Sequence, residues 1–435
     1  MLQTIKDIFS VKDIRKKILY TLFIILLFRL GTFITIPGVD RALLREMTGS
    51  TSGLTAIINL VSGGAFSRLS IMALTIGPYI TASIVLNMLQ YVIPSLERLA
   101  KEGEEGRKRL NKYTKYLTIV FAIVEGLAAY IQYKSYLCAE LQYGAGSILG
   151  VLLFLVSIIA GTSILTWLGD KITENGIGNG ISMIVFIGIV SGISGAATTL
   201  FELAKTGISG ILLVVGILVA MLLLLAAVVF VQQAERRIPV NYAKRVVGRK
   251  MYGGQNTHIP IKLAMTGVMP LIFAMSFMMI PSMIISFCTQ GNPTGFWLKV
   301  YNLFSVSQGS AWYYLLGYAV IYMALIILFT FVYTMFIVNP VEIANNLKKN
   351  GGFIPGIRAG KNTSDYISNV LNKITMVGAV FLALVAVLPI LLQGFTTISI
   401  TFSGNSVLIA VSVALEILKN LETQMVSRHY SGFLD

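Results

Sequence analysis

The chain alternates long apolar runs with short polar, mostly basic connections. A helix crossing a hydrocarbon core of about 30 Å needs roughly 20 mostly apolar residues, because every backbone polar group must be satisfied inside the segment. Ten runs meet that need, near 18 to 36, 73 to 93, 116 to 137, 147 to 168, 181 to 200, 209 to 232, 261 to 287, 312 to 338, 370 to 392 and 405 to 419. The pattern predicts an all-α polytopic membrane protein of ten transmembrane helices. The connection from 37 to 72 also holds a semi-apolar piece, TAIINLVSGGAFSRLS, broken by Gly63 and Gly64 and too short to span. Its residues alone read as a folded external loop; the other reading is a re-entrant half-helix, which needs a protein-lined cavity.

Composition agrees. Of 435 residues, 55% are hydrophobic and 12% charged, against roughly 25% charged in soluble domains. Two cysteines, Cys138 and Cys288, and two histidines exclude a disulfide scaffold or a zinc module. Lys and Arg number 34 against 19 Asp and Glu, a net charge of +15. Alternate connections hold 27 of these cations, the opposite connections six (Arg41, Arg45, Arg68, Lys134, Lys205, Lys299), and Arg29 lies in the first run. The positive-inside rule then makes both termini cytoplasmic, in keeping with an even number of spans. The basic start, MLQTIKDIFSVKDIRKK, has no small-residue cleavage site before its apolar run and reads as a retained anchor.

Catalysis or ion coupling inside a membrane requires ionisable groups there, and each is expensive to keep in lipid. The spans hold Arg29, Glu125 and, near an inner end, Glu416, which read as a structural pair or snorkelling groups before they read as a proton relay. Gly-Ile-Ser-Gly at 192 to 195 and 207 to 210 looks like an intramembrane serine-protease motif. That chemistry needs a histidine base at the same depth, and His258 and His429 fall in cytoplasmic segments, so Ser194 and Ser209 read as small residues at helix ends. No metal-binding or NTP-binding motif is present, and no cofactor is expected. Gly176-Ile177-Gly178-Asn179-Gly180 follows no strand and reads as a tight turn before the fifth span.

The connections 235 to 262 and 339 to 373 mix cations with Gly, Pro and aromatic residues. In the first, Val240, Tyr242 and Val246 alternate with polar residues around Lys244 and Arg245; in the second, Arg358 stands between Gly356 and Gly360. Topogenic charge explains the sign of these loops but not their length. A docking surface for an acidic protein or ribosomal RNA explains both.

The stretches LTIGPYITASIVLNMLQ, KEGEEGRKRLNKYTKY, TENGIGNGISMIVF, ERRIPVNYAKR with THIPIKLAMTGVMP, and NNLKKNGGFIPGIRAGKNT resemble, in this order, the SecY family, channel-forming subunits of the bacterial protein translocon. The resemblance runs from about residue 10 to about 430. It implies a passive, non-enzymatic conduit that moves unfolded polypeptides across the bacterial plasma membrane and releases apolar segments sideways into lipid. The implied architecture is two inverted five-helix halves, 1 to 205 and 206 to 435, with a lateral gate between spans 2 and 3 on one side and 7 and 8 on the other. The implied partners are SecE, SecG, the SecA ATPase, a translating ribosome, signal peptides, and secretory or membrane protein substrates.

By the same resemblance Ile76, Ile80, Ile181, Val185, Ile272 and Ile409 match a pore ring. The 57 to 70 stretch, with Asn59, Leu60, Val61, Gly63, Gly64, Phe66 and Arg68, becomes a short plug helix, reversing the loop reading. Lys244, Arg245, Arg249, Lys250 and Arg358 become the SecA or ribosome docking surface. The residues support a pathway independently: the second span of each half carries a Gly/Pro interruption in its first third, Gly77-Pro78 and Gly267 with Pro270. Ile76 and Ile80 share a face, as do Val268 and Ile272, and Ile181 and Val185. A branched-aliphatic ring offers no fixed donor to any one substrate and blocks ions by dewetting. The competing reading, a secondary transporter of a small solute, calls for acidic or polar groups at mid-membrane of the broken helices, where this chain has Ile and Gly-Pro.

Overall fold

The computed structural model describes residues 12–40, 65, 68–133, 137–138, 145–205, 207–242, 245–247, 250–252, 256–289, 294–305, 311–395 and 404–431. Among these, ten long helices stand where the apolar runs predict them. They are α1 (Lys12–Gly31), α2 (Gly77–Val92), α4 (Glu104–Tyr133), α5 (Ala145–Asn175), α6 (Gly180–Ala204), α7 (Ile208–Gln233), α8 (Met269–Cys288), α10 (Trp312–Ile337), α12 (Lys361–Phe395) and α13 (Gly404–Ser431). Three short helices join them: α3 (Pro94–Lys101), α9 (Gly295–Phe304) and α11 (Pro340–Lys349).

Helices α4, α5, α7, α10 and α12 are each long and apolar enough to cross a membrane. Helices α2 and α3 make a sixth candidate, bent by 100° at Ile93. The bend has a local cause: Pro94 excludes the helical conformation for the residue before it, and Ile93 is extended at φ −104°, ψ 110°. The apolar stretches in α6 and α8 are shorter, and α1 and α13 carry charge in or beside their apolar stretch, Lys12 to Lys17 and Arg29 in one, Glu416 and Lys419 in the other. Helix α7 has only Gly210 and Val228 buried and turns Ile208, Leu212, Leu222, Leu223 and Phe230 outward, an all-round apolar surface that suits lipid and not water. Buried threonines satisfy their hydroxyls inside their own helices, Thr118 on the Thr114 carbonyl at 2.7 Å and Thr330 on the Ile326 carbonyl at 2.6 Å, as a medium without water requires.

Among the described residues a smaller apolar core lies around Leu69, Tyr130 and Phe154 beside α4 and α5, and two large ones hold the bundle. One gathers α1, α2, α5, α6 and α13 around Ile24, Phe28, Leu165, Leu168 and Ile184. The other gathers α8, α10, α12 and α13 around Leu271, Met278, Tyr322, Ala383 and Leu408. Ile80 and Val268 pack against both, so the cores meet where α2 approaches α8.

The two long basic connections fold together. Strand β1 (Glu235–Tyr242) pairs antiparallel with β4 (Asn256–Lys262), from Glu235 opposite Lys262 to Asn241 opposite Asn256. Its other edge takes β5 (Gly352–Phe353) from the second connection, and β2 (Arg245–Val247) with β3 (Lys250–Tyr252) forms a separate hairpin. The alternation of Ile238 and Val240 puts both inside, where they share a core with Ile261, Val338, Leu347, Ile354, Ile367 and Leu371.

Candidate functional site

The second and seventh runs do not begin as helices. Residues 71 to 76 and 263 to 268 are successive turns, and α2 and α8 start only after them. The Gly/Pro interruptions expected inside the first third of each span therefore sit at helix starts. Proline explains this: it is well placed in the first turn of a helix, where its missing N–H has no partner to lose. Pro78 and Pro270 each stand two residues past the last turn residue, Ile76 or Val268.

Both lead-ins are stitched down by backbone. In the first, Ile36 donates to the Leu69 carbonyl and Ile71 to the Ile34 carbonyl, each at 2.9 Å. The Ser70 hydroxyl donates to the Gly31 carbonyl and accepts from the Met72 N–H, both at 3.1 Å. Leu69 and Thr75 take positive φ, 42° and 49°, an uncommon conformation for a residue with a Cβ. In the second, Leu263 donates to the Ala234 carbonyl at 2.9 Å, and Gly267 supplies the left-handed turn at φ 58°. Each lead-in also rests its first carbonyl on a glycine of another helix. A Cβ on Gly161 of α5 would collide with the Ile71 carbonyl oxygen, and one on Gly378 of α12 with that of Leu263.

This geometry delivers aliphatic side chains to one place. Ile76, Val185 and Ile409 are buried in a single apolar cluster, and Ile80, Ile181 and Ile272 pack against it half-buried. The six residues singled out in the sequence thus reach one cluster, Ile76 from the end of the first lead-in and the others from α2, α6, α8 and α13. The cluster also takes in Val268, Ile184, Ile189 and Val413. Of these only Val268 had a sequence signal, its spacing from Ile272.

The Glu125 carboxylate of α4 accepts a hydrogen bond from the Thr81 hydroxyl of α2 at 3.3 Å. The same hydroxyl lies 3.1 Å from the Gly77 carbonyl and shares its one proton between the two acceptors, so this carboxylate sits against the start of α2. Helix α8 packs against both α2 and α4, which brings span 7 of the expected gate against spans 2 and 3. The amide of Gln232 on α7 donates to the Ser412 hydroxyl of α13 at 2.6 Å.

The second serine motif lies far from the histidine of the sheet. Ser209 opens α7 while His258 lies on β4, beyond that helix's other end, and 26 helical residues separate the ends by about 39 Å. The Gly176 to Gly180 segment is a turn: Asn179 Oδ1 accepts from the Ile181 N–H at 3.0 Å and the Ser182 N–H at 3.4 Å, capping α6. Both cysteines are unbridged and exposed. Among the described residues no group of three or more His, Cys, Asp or Glu gathers as a metal site.

Of the docking residues, Arg358 is exposed between Gly356 at φ 79° and Gly360 at φ 108°. Its own carbonyl accepts from the Thr363 hydroxyl at 3.0 Å, which fixes the base of the tip. Arg245 opens β2 and Lys250 opens β3, while Lys244 and Arg249 lie outside the described residues. Nearby, Arg237 donates to Glu235 at 2.7 Å and holds that carboxyl below its ordinary range. Of the plug residues, Asn59, Leu60, Val61, Gly63, Gly64 and Phe66 lie outside the described residues. Arg68 is exposed and stacks its guanidinium 4.6 Å from the Phe33 ring centre.

Comparison with known proteins follows the same outline. A family model, SecY, matches residues 70 to 418. The protein translocase subunit SecY of Streptomyces scabiei is 41% identical over 456 residues, covering 100% of both chains, and that of Rickettsia typhi is 37% identical, covering 98% of this chain and 96% of its own. A solved structure described as that of a protein conducting channel superposes with a TM-score of 0.69 at 19% identity, covering 95% of this chain and 93% of its own. Sec61 in the canine ribosome-channel complex does so with a TM-score of 0.67 at 18% identity and the same coverage. With a family match over most of its length and relatives near 40% identity end to end, the chain belongs to the SecY family.

Proposed function

We propose that this chain is the protein-conducting channel through which unfolded polypeptides cross a bacterial plasma membrane, or leave sideways into its lipid, with both chain termini in the cytoplasm. The observation that carries the reading is the convergence of Ile76, Ile80, Ile181, Val185, Ile272 and Ile409 on one apolar cluster from four helices. A constriction made of branched aliphatics has no donor, acceptor or charge with which to hold a passing side chain, and it stays dry when empty. It therefore seals against ions at rest and releases any polypeptide it admits.

Residues 1 to 205 and 206 to 435 form two inverted halves in this reading. The matched lead-ins support it: Ile76 and Val268 end the turns, Pro78 and Pro270 follow, and Ile80 and Ile272 stand four residues past Ile76 and Val268. Sideways release requires α8 to part from α2 and α4, against which it packs. The 57 to 70 segment serves as the plug in this reading; of it, Arg68 stacks on Phe33. The channel hydrolyses nothing; an external SecA ATPase or a translating ribosome supplies the work by docking on the cytoplasmic sheet and Arg358. SecE and SecG complete the assembly. The relatives near 40% identity are protein translocase subunits, and carriage of a small solute has no support among them.

The test is conductance. Replacing Ile80 and Ile272 together by Ser removes branched volume where α2 and α8 pack against one cluster, and since losing most of a fully buried Ile side chain costs about 2 kcal/mol or more, the two half-buried sites together lose about that much. Such a loss moves a marginal closed-to-open equilibrium by over tenfold (about 1.4 kcal/mol per decade). The reconstituted double variant is expected to leak small ions without substrate and to pass proteins with defective signal sequences. A folded double variant as tight as the parent would move the pore elsewhere.

A further inference from the structure

The connection between α8 and α10 contains α9, GFWLKVYNLF, whose 10 residues extend about 15 Å, half of what a span needs. Its polar side chains, Lys299 and Asn302, are three apart and share one stripe. Phe296, Trp297, Val300, Tyr301, Leu303 and Phe304 fill the rest of its surface. Among the described residues, only its C-terminal end has support from the bundle. Phe304 packs against the core of α8, α10 and α12, and Leu303 occupies the space beside Gly317 of α10. At its other end Phe296, Trp297 and Leu298 are 71%, 50% and 42% exposed, and no residue of the helix is buried.

What covers that exposed end is indicated by its neighbour. On α10, Trp312, Leu316 and Val320 are all exposed and, at spacings of four, form one stripe along the helix. This is the outer face of a membrane-crossing helix, so lipid contact continues to its first turn. Two of the chain's three tryptophans, Trp297 and Trp312, flank this junction. Indole rings concentrate where acyl chains give way to headgroups, since the ring is apolar and its N–H needs a polar partner. A lysine on the opposite stripe extends its ammonium toward water and headgroups.

We propose that α9 is an interfacial helix lying in the plane of the membrane surface, with Trp297, opposite the Lys299 and Asn302 stripe, sunk into the boundary between lipid headgroups and acyl chains and Phe296 and Leu298 flanking it at the headgroup level. It pins the adjoining ends of α8 and α10 at a fixed depth. Because α8 carries Ile272 and packs on α2 and α4, that depth sets where α8 meets them. The proposal needs only that the chain is embedded in a bilayer and stands apart from the reading of the pore.

The experiment uses the full chain with Trp167→Phe and Trp312→Phe, so that Trp297 is the single emitter, in phosphatidylcholine vesicles brominated either near the headgroup or near the chain end. Trp297 is expected to lose at least half its emission to the shallow bromines and clearly less to the deep ones. Emission unchanged by either lipid, whether the indole is in water or under protein, would overturn the proposal, as would stronger quenching by the deep bromines. Should the double variant not assemble, the emission difference between the parent and Trp297→Phe in the same lipids gives the same reading.

Discussion

A glycine inside a helix is destabilising by roughly 0.5 to 1 kcal/mol relative to alanine, so Gly161 and Gly378 need a reason to be where they are. Each lies under a backbone carbonyl, of Ile71 or Leu263, that occupies the position of a β-carbon. These carbonyls belong to the first residues of the two turn segments that present Ile76 and Val268. Backbone cannot yield as a flexible side chain can, so Gly161→Ala and Gly378→Ala should each destabilise the protein by about 1 to 3 kcal/mol through overpacking. Gly216 of α7 meets no atom within 4 Å, and Gly216→Ala should be neutral or stabilising. Thermal midpoints of the three purified variants decide this; similar losses at Gly161 and Gly378 with none at Gly216 are the expected pattern.

At the scale of elements, the sheet of β1, β4 and β5 separates folding from the proposed docking. Val240 is 1% exposed inside the sheet's core, whereas Arg358 is an exposed side chain on a tip shaped by two glycines with positive φ. A carboxylate at Val240 would be buried without a partner, at a cost of several kcal/mol. Val240→Asp should therefore open segment 235 to 262 to protease while the membrane helices stay assembled. Arg358→Glu should leave the protease pattern unchanged and abolish SecA-driven transport. Binding of SecA to the parent should weaken with salt, since exposed charges are screened over about 8 Å at physiological ionic strength. Normal transport by Arg358→Glu at ordinary SecA concentration would remove Arg358 from the docking surface.

For the whole molecule, orientation is a question of charge. The cytoplasmic connections of the proposed topology hold 27 of the 34 Lys and Arg, and that asymmetry sets which side each connection takes. A reporter fused after Lys250 or Lys361 is expected to be cytoplasmic, and one near Asn292 external. An external signal at Lys361 would break the ten-span order. The two large apolar cores, joined through Ile80 and Val268, add the second property of the whole: in the proposed channel, the contact that loosens for sideways release is the place where they touch.

The ten spans, their approximate limits and the distribution of charge were determined by the sequence alone. In lipid each helix must satisfy its own backbone, so its signature is local and needs no partner to be read. The alternation of Val240, Tyr242 and Val246 with polar residues likewise marked a folded loop. The tertiary structure decided which faces matter. Lipid, helix packing and a dry constriction all favour the same branched aliphatics, so nothing in the composition separates the buried Ile409 from the exposed Ile211. Without the family resemblance the six ring positions were ordinary membrane residues. The sheet was equally out of reach, because β5 is a two-residue strand that exists only through its pairing with β1, about a hundred residues earlier in the chain. The turns at 71 to 76 and 263 to 268 were hidden inside apolar runs, since proline marks an irregularity in a helix but not whether it is a kink or a beginning. The backbone shows that they are beginnings, with turn segments held by their own hydrogen bonds and carbonyls resting on Gly161 and Gly378.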